Sequence, residues 1–233
     1  MKTENQQEKS RTQVFNVIIL DRSGSMFCIR RAAVDGFNET LAGIRKAQKE
    51  YAATQDHFVS LVTFCSCKME QVFDKVPIAE AQPLKLEDYQ PCCCTPLYDA
   101  MGFTISGLRD YVRQIEDAVV VVTIITDGLE NASKEYTGRS IKKLVESLRE
   151  EGWTFTYMGA NQDAEKVAMD LSIRNSRNFE YSEEGIEHGM ERNTNTRMRF
   201  YSRLNTSKEN TGERLSKLMM SKMVDEAFDE EEK

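Results

Sequence analysis

Three things are scarce in this 233-residue chain. Histidine occurs only at His57 and His188, which leaves little for a serine hydrolase, whose nucleophile needs a histidine base beside it. Long apolar runs are missing: the longest, residues 118–125, is far too short to span a bilayer. Positive charge is in deficit, and a net charge of -7 weighs against general nucleic-acid binding and against docking on an anionic membrane surface. Residues 1–13 are polar, without the apolar stretch of a signal peptide. The expectation is a soluble, cytoplasmic protein with a disordered tail over 1–12. The six cysteines, Cys28, Cys65, Cys67, Cys92, Cys93 and Cys94, are then expected as reduced thiols. A chain this long needs no disulfide staples, and vicinal cysteines such as Cys92 and Cys93 bond each other only with strain.

What is present alternates between two periodicities. Residues 14–20 are almost continuously apolar and read as a buried central strand. Val34, Phe37, Leu41, Ile44 and Tyr51 then form one stripe of a helix over 29–52. Residues 57–64 predict a second strand, and 67–76 a third, antiparallel to it across a very short junction. Lys68, Glu70 and Asp74 give that third strand the charged character of a sheet edge. After a connection marked by Pro77, Pro83 and Pro91, the positions Leu97, Met101, Ile105, Leu108, Val112 and Ile115 predict another helix. Residues 119–126 are the strongest strand. A helix carrying Ile141, Leu144, Val145 and Leu148, a strand over 153–159, a helix over 163–171 and a short strand over 178–181 complete the series.

Strands alternating with helices imply parallel βαβ units with right-handed crossovers. The fold class is α/β: a doubly wound, Rossmann-like, mostly parallel sheet with one antiparallel edge strand, over residues 13–182. Residues 183–233 read as a helical C-terminal extension. There Ile186, Met190, Arg197, Met198, Phe200 and Tyr201 mix apolar with basic character, and Leu215, Leu218, Met219, Met223 and Phe228 fit an amphipathic helix. Such a helix packs on the parent domain more often than it recruits partners. The acidic run at 225–232 reads as a solvated tail.

Doubly wound sheets bind ligands beyond the carboxyl ends of their strands. At the first such end stands Asp21-Arg22-Ser23-Gly24-Ser25. Asp21, Ser23 and Ser25 are two residues apart, so an extended backbone aims all three at one point. Oxygen donors so placed suit a hard cation such as Mg2+; Ser25 also suits a helix N-cap. Asp127 ends the strongest strand, and Thr95 opens the helix before it. The chain orders all three loops toward one sheet edge.

With these residues in that order, the chain resembles a von Willebrand factor type A domain over residues 13–182. Asp21-Arg22-Ser23-Gly24-Ser25, the threonine of Thr95-Pro96-Leu97-Tyr98-Asp99-Ala100 and the aspartate of Thr126-Asp127-Gly128 match the family's metal-ion-dependent adhesion site. Leu97-Tyr98-Asp99-Ala100 and the stretch 157–163 resemble bacterial and phage-type intracellular members more than extracellular ones. The resemblance implies a metal site of Asp21, Ser23, Ser25, Thr95 and Asp127. Its cation is Mg2+, with Mn2+ or Ca2+ as substitutes. Ser23, Ser25 and, depending on state, Thr95 bind directly; Asp21 and Asp127 act through waters. It further implies a non-enzymatic interaction module, whose protein partner completes the coordination with an aspartate or glutamate. One departure is local: the family commonly has glycine just before the threonine, where this chain has Cys92, Cys93 and Cys94.

Two other readings compete. A Mg2+-dependent phosphohydrolase with an aspartate nucleophile normally has a second carboxylate two residues on, where this chain has Ser23. The six cysteines all fall on the predicted metal-site face, so a thiol-based soft-metal or redox sensor is a second alternative, although their spacing matches no zinc signature. The acidic tail also offers carboxylates for self-association through a neighbouring molecule's metal.

Overall fold

The computed structural model describes residues 11–160 and 164–211, together with 216, 219, 220, 222, 223, 226 and 227. Its elements run β1 (Thr12–Asp21), a 3-10 segment (Gly24–Ile29), α1 (Arg30–Glu50), β2 (Gln55–Cys65), β3 (Lys68–Pro77), α2 (Leu97–Val112), β4 (Ala118–Thr126), α3 (Gly138–Glu150), β5 (Thr154–Ala160), α4 (Ala164–Asp170), β6 (Asn175–Phe179) and α5 (Glu183–Thr211). One sheet holds all six strands in the order β3-β2-β1-β4-β5-β6. Every neighbouring pair is parallel except β2 with β3. The α/β, mostly parallel architecture with one antiparallel edge is therefore as the sequence implies.

The central strands show why their apolar runs are continuous. Side chains alternate across a strand, and both faces here are covered. Val14, Ile18 and Leu20 of β1 pack with α1 and α5 residues. Phe15, Val17 and Ile19 face the opposite way, into a second core built with α2, α3 and α4. In β4, Val119, Val121 and Ile125 join the first core, and Val120, Val122 and Ile124 the second. β1 is bordered by β2 on one side and β4 on the other. Connections therefore diverge between β1 and β4, and that switch point opens a crevice beyond their carboxyl ends.

Three boundaries differ from the sequence expectation. β1 begins at Thr12, inside the stretch expected as a tail. Thr12 is buried, its N–H donating to the Thr54 carbonyl at 2.8 Å and its hydroxyl to Asp117 at 3.0 Å. Residues 24–29 wind as a 3-10 segment, so α1 starts later, at Arg30. The last strand lies at Asn175–Phe179, earlier than 178–181; only Phe179 in it is buried, and a polar edge strand carries little periodic signal. The expected start of a helix at Asp163 lies outside the described residues, as do Leu215, Leu218, Phe228 and the acidic residues Asp225 and Asp229 to Glu232.

The described part of the segment after residue 182 packs on one sheet face. Ile186, Met190, Phe200, Tyr201 and Leu204 of α5 belong to the same core as β1 and α1. The two helices approach closely at glycine: a Cβ on Gly36 would lie 2.6 Å from Met190 Cγ, and one on Gly43 2.8 Å from Thr194 Cγ2. The basic residue in the α5 apolar stripe is explained by a buried polar node. Arg197 Nη1 donates to Asn16 Oδ1 at 3.0 Å, and Nη2 to Thr123 Oγ1 at 2.6 Å. The Tyr201 hydroxyl also donates to Asn16 Oδ1. His57 stacks edge-on against Tyr201, and burial together with the Arg197 charge pushes its pKa down to about 3. At the far end of α5, Lys208 Nζ pairs with Asp117 Oδ2 at 2.5 Å, both nearly buried.

Asn16 supplies the acceptor that holds a buried guanidinium. Replacing it with alanine leaves that charge underpaired. Asn16→Ala is expected to destabilise the protein by about 3 kcal/mol in urea unfolding. A loss below about 1 kcal/mol would show that the node does not anchor α5.

Candidate metal centre

β1 and β4 end side by side, and their last residues supply two carboxylates. Asp21 is fully buried and Asp127 nearly so. The backbone turns at once after Asp21: the Ser23 N–H donates to Asp21 Oδ1 at 2.7 Å, and the Tyr89 hydroxyl to the Asp21 carbonyl. Thr126, the last residue of β4, donates its hydroxyl to Asp21 Oδ2 at 2.6 Å. The Ser23 and Ser25 hydroxyl oxygens lie 3.1 Å apart, and Ser25 Oγ donates to Asp127 Oδ1 at 2.7 Å. Ser23 makes no side-chain capping bond at the start of the 3-10 segment. The hydroxyl of Ser25 points to Asp127, so the helix-cap alternative is not what the structure shows.

Thr95 reaches the same point from a third loop. Its N–H donates to Asn131 Oδ1 at 2.8 Å, and its carbonyl accepts from the Asn131 N–H at 3.1 Å. This tie locks the start of α2 to the loop after β4. Asp99, in the first turn of α2, accepts three N–H groups of that loop, from Lys134, Glu135 and Tyr136, at 2.8–3.0 Å. Burial pushes the Asp99 carboxyl up, and those N–H groups outweigh it, leaving it below the usual aspartate value.

Gly128 marks the centre of the constellation. A Cβ there would lie 3.1 Å from Thr95 Oγ1, 3.7 Å from Ser25 Oγ and 3.9 Å from Asp21 Oδ2. The missing side chain leaves a cradle lined by oxygen. Asp127 Oδ2 is buried in this cluster without a hydrogen-bond partner among the described residues. A buried carboxylate oxygen without a partner is costly, and it is the group a cation and its waters would satisfy. Three hydroxyls with two carboxylates form an all-oxygen donor set, which suits Mg2+, Mn2+ or Ca2+. The residues present therefore fit a hard divalent cation. Ser25 is exposed while Asp21, Ser23 and Thr95 are buried, so the site opens on the Ser25 side.

Electrostatics points the same way. Burial pushes Asp21 from its ordinary value of 3.8 up to about 6, against hydrogen bonds from Thr126 and Ser23 and with a smaller push from Asp127. Burial also raises Asp127, against the bond from Ser25.

Sequence reasoning singled out Asp21, Ser23, Ser25, Thr95 and Asp127, and the structure brings all five together. It did not single out Thr126, Tyr89, Asn131 or Gly128. Thr126 and Gly128 flank Asp127 in Thr126-Asp127-Gly128 and were open to notice there. Tyr89 and Asn131 act across long sequence separations and left no local signal. Of the cysteines, Cys65, Cys67, Cys92 and Cys93 gather beside the centre: Cys65 Sγ is 3.3 Å from Cys92 Sγ, and Cys67 Sγ 2.6 Å from Cys93 Sγ. Cys28 stands apart, beside Tyr181. Neither histidine is near: His57 lies near the start of β2, at the opposite end of the sheet, and His188 is exposed on α5.

No model of a known protein family matches the chain, and no curated protein matches it. Solved structures do. A von Willebrand factor type A protein from Catenulispora acidiphila superposes with a TM-score of 0.56 at 13% identity, covering 81% of this chain and 43% of its own. The pilus adhesin SpaC from Lactobacillus rhamnosus GG gives 0.61 at 13% identity, over 82% of this chain and 31% of the adhesin. Proximal thread matrix protein 1 from the mussel byssus, in a form with a zinc-occupied MIDAS motif, gives 0.51 at 14% identity, over 79% and 45%. The chain thus spans less than half the length of each of these proteins. The fold is that of von Willebrand factor type A domains.

A raised carboxyl pKa means that the folded state keeps a proton which the unfolded chain has released. The contribution of Asp21 to the stability of the metal-free protein therefore falls as pH rises from about 4 to about 6. In EDTA, the stability difference between wild type and Asp21→Asn is expected to shift against wild type across that window, by up to about 3 kcal/mol. A flat difference in urea unfolding would mean that Asp21 is not desolvated.

Proposed function

We propose that this chain is a divalent-cation-dependent protein-interaction module, with Mg2+ at the centre formed by Asp21, Ser23, Ser25, Thr95 and Asp127. The observation that carries this reading is the partnerless, buried Asp127 Oδ2 beside Gly128, whose missing side chain leaves room next to Thr95 Oγ1, Ser25 Oγ and Asp21 Oδ2. When bound, the cation would offer an open position to an aspartate or glutamate of a partner protein. The chain's own residues prepare for that. Ser23, Ser25 and Thr95 are neutral donors that leave the cation electrophilic. Asp21, held by Ser23 N–H and Thr126, and Asp127, held by Ser25, keep the negative charge in fixed positions.

The surroundings support docking. Phe27 and Leu129 lie within two residues of Ser25 and Asp127 and are 56% and 61% exposed. Large apolar side chains at the lip of a polar site are what a protein partner covers. The Arg30 guanidinium sits 4.8 Å from the Phe27 ring centroid and adds positive charge for an acidic partner. Catalysis is not part of the proposal. The residue two beyond Asp21 is Ser23, with no carboxylate at that position for acid–base work, and both histidines lie away from the centre.

No helix among the described residues is long and apolar enough to cross a membrane. All six cysteines are free thiols, which fits the proposed cytoplasmic setting in a bacterial or phage system.

The test is thermal unfolding in reductant with EDTA, Mg2+, Mn2+ or Ca2+. Metal at about 100 times its Kd is expected to stabilise the wild type by about 2.7 kcal/mol. Asp21→Ala is expected to show no metal-dependent shift. A wild type indifferent to all three cations at millimolar concentration would contradict the proposal.

A further inference from the structure

The loop that carries Thr95 also carries an arrangement which the hard-cation centre does not use. Cys67, Cys92 and Cys93 place their three sulfurs within 4.8 Å of one another. Cys65 adds a fourth, 3.3 Å from Cys92 Sγ. They come from two segments, the β2–β3 turn and the loop before α2. Backbone bonds clamp these together: Ser66 N–H donates to the Cys94 carbonyl at 2.9 Å, and Cys94 N–H to Ser66 Oγ at 3.1 Å. Neighbouring side chains on an extended chain point apart, yet Cys92 and Cys93 converge. Cys93 sits in the left-handed region, at φ 63°. That conformation is strained for a side chain with a Cβ and natural for glycine. Strain of this kind persists where the surrounding structure holds it in place, as the bonds of Gly24 and Ser66 to this loop do.

We propose that Cys65, Cys67, Cys92 and Cys93 form a thiolate site for a thiophilic d10 cation of the Zn2+ class, separate from the oxygen-lined centre. Two sulfurs would be enough for a disulfide. A third sulfur gathered at the same place, with Cys65 adjoining it through Cys92, is accounted for by a cation, which takes four thiolate ligands in a closed tetrahedral site. Binding forms four sulfur–metal bonds and releases the thiol protons to buffer, with no change of oxidation state. Arg22, almost buried, directs Nη2 to Cys65 Sγ at 3.9 Å, and Arg22 Nη1 and Lys68 Nζ both pair with Glu70, at 3.4 and 2.7 Å.

The site would also act on the neighbouring centre through the backbone. Gly24 N–H donates to the Cys93 carbonyl at 3.0 Å, and Cys92 N–H to the Arg22 carbonyl at 2.9 Å. A cation on the thiolates fixes the loop that leads into Thr95 and holds it against the serine loop.

The test uses the full chain, purified without oxygen in reductant, stripped with chelator and titrated with Co2+ as a spectroscopic substitute for Zn2+. A thiolate-to-cobalt charge-transfer band is expected to saturate at a single equivalent and to vanish when Zn2+ is added. Asp21→Ala and Cys28→Ser are expected to keep the band, since neither belongs to the thiol cluster. Cys67→Ser and Cys93→Gly are expected to lose it, and glycine adopts the Cys93 backbone conformation without strain, so folding of that variant is preserved. No band in the wild type would overturn the proposal. So would a band that survives in the Cys67→Ser/Cys93→Gly double variant, or a Cys67–Cys93 disulfide in place of metal uptake in reductant. Hard-cation binding at the oxygen centre gives no thiolate band, so the two sites succeed or fail separately.

Discussion

A carboxylate held out of water at the end of the central strand is the constraint on which the site depends. Asp21 is buried because β1 is buried on both faces to its last residue. Asp127 ends β4, the strand paired directly with β1. Two carboxyl groups so placed lose hydration, Asp21 with a smaller push from the Asp127 charge, and their raised affinity for protons records that cost. Thr126, Ser23 and Ser25 relieve part of it with hydrogen bonds, and one oxygen of Asp127 is left over. The fold thus stores an electrostatic demand at its switch point, and a divalent cation is the simplest group that meets it.

The rest of the molecule keeps that demand in place. The sheet is covered by α1 and α5 on one side and by α2, α3 and α4 on the other. Loops join the centre through hydrogen bonds that fix Thr95 to Asn131, and α2 to the loop after β4. Far from the centre, Arg197 and Asn16 tie α5 to the sheet within the core. Docking of α5 is therefore part of the fold itself, with its polar anchor beneath the helix.

Much of the architecture was legible because buried parallel strands and amphipathic helices have different periods, and these alternate cleanly along residues 14–171. Asp21, Ser23, Ser25 and Asp127 were legible because they stand where strong apolar runs stop. Arg197 stands in a stretch that mixes apolar with basic character, and only its partners Asn16 and Thr123, far away in the chain, make its burial intelligible. The last strand was placed late because its one buried residue, Phe179, gives no alternation. The cysteines were visible as a group on one face, but their convergence depends on a turn meeting a distant loop and on a left-handed φ at Cys93. No spacing rule contains either fact. At that position a departure from glycine becomes informative, since the thiol occupies a backbone conformation that it does not favour.

The central claim is that five side chains around Gly128 bind one hard cation, and Mn2+ uptake followed by electron paramagnetic resonance tests it most directly. The wild type is expected to remove Mn2+ from solution at a single site in reductant. Gly128→Val places its side chain within 3.1 Å of Thr95 Oγ1, in the space lined by the oxygens, and is expected to abolish uptake while still unfolding cooperatively in EDTA. Equal uptake by both proteins, or none by the wild type, would contradict the account.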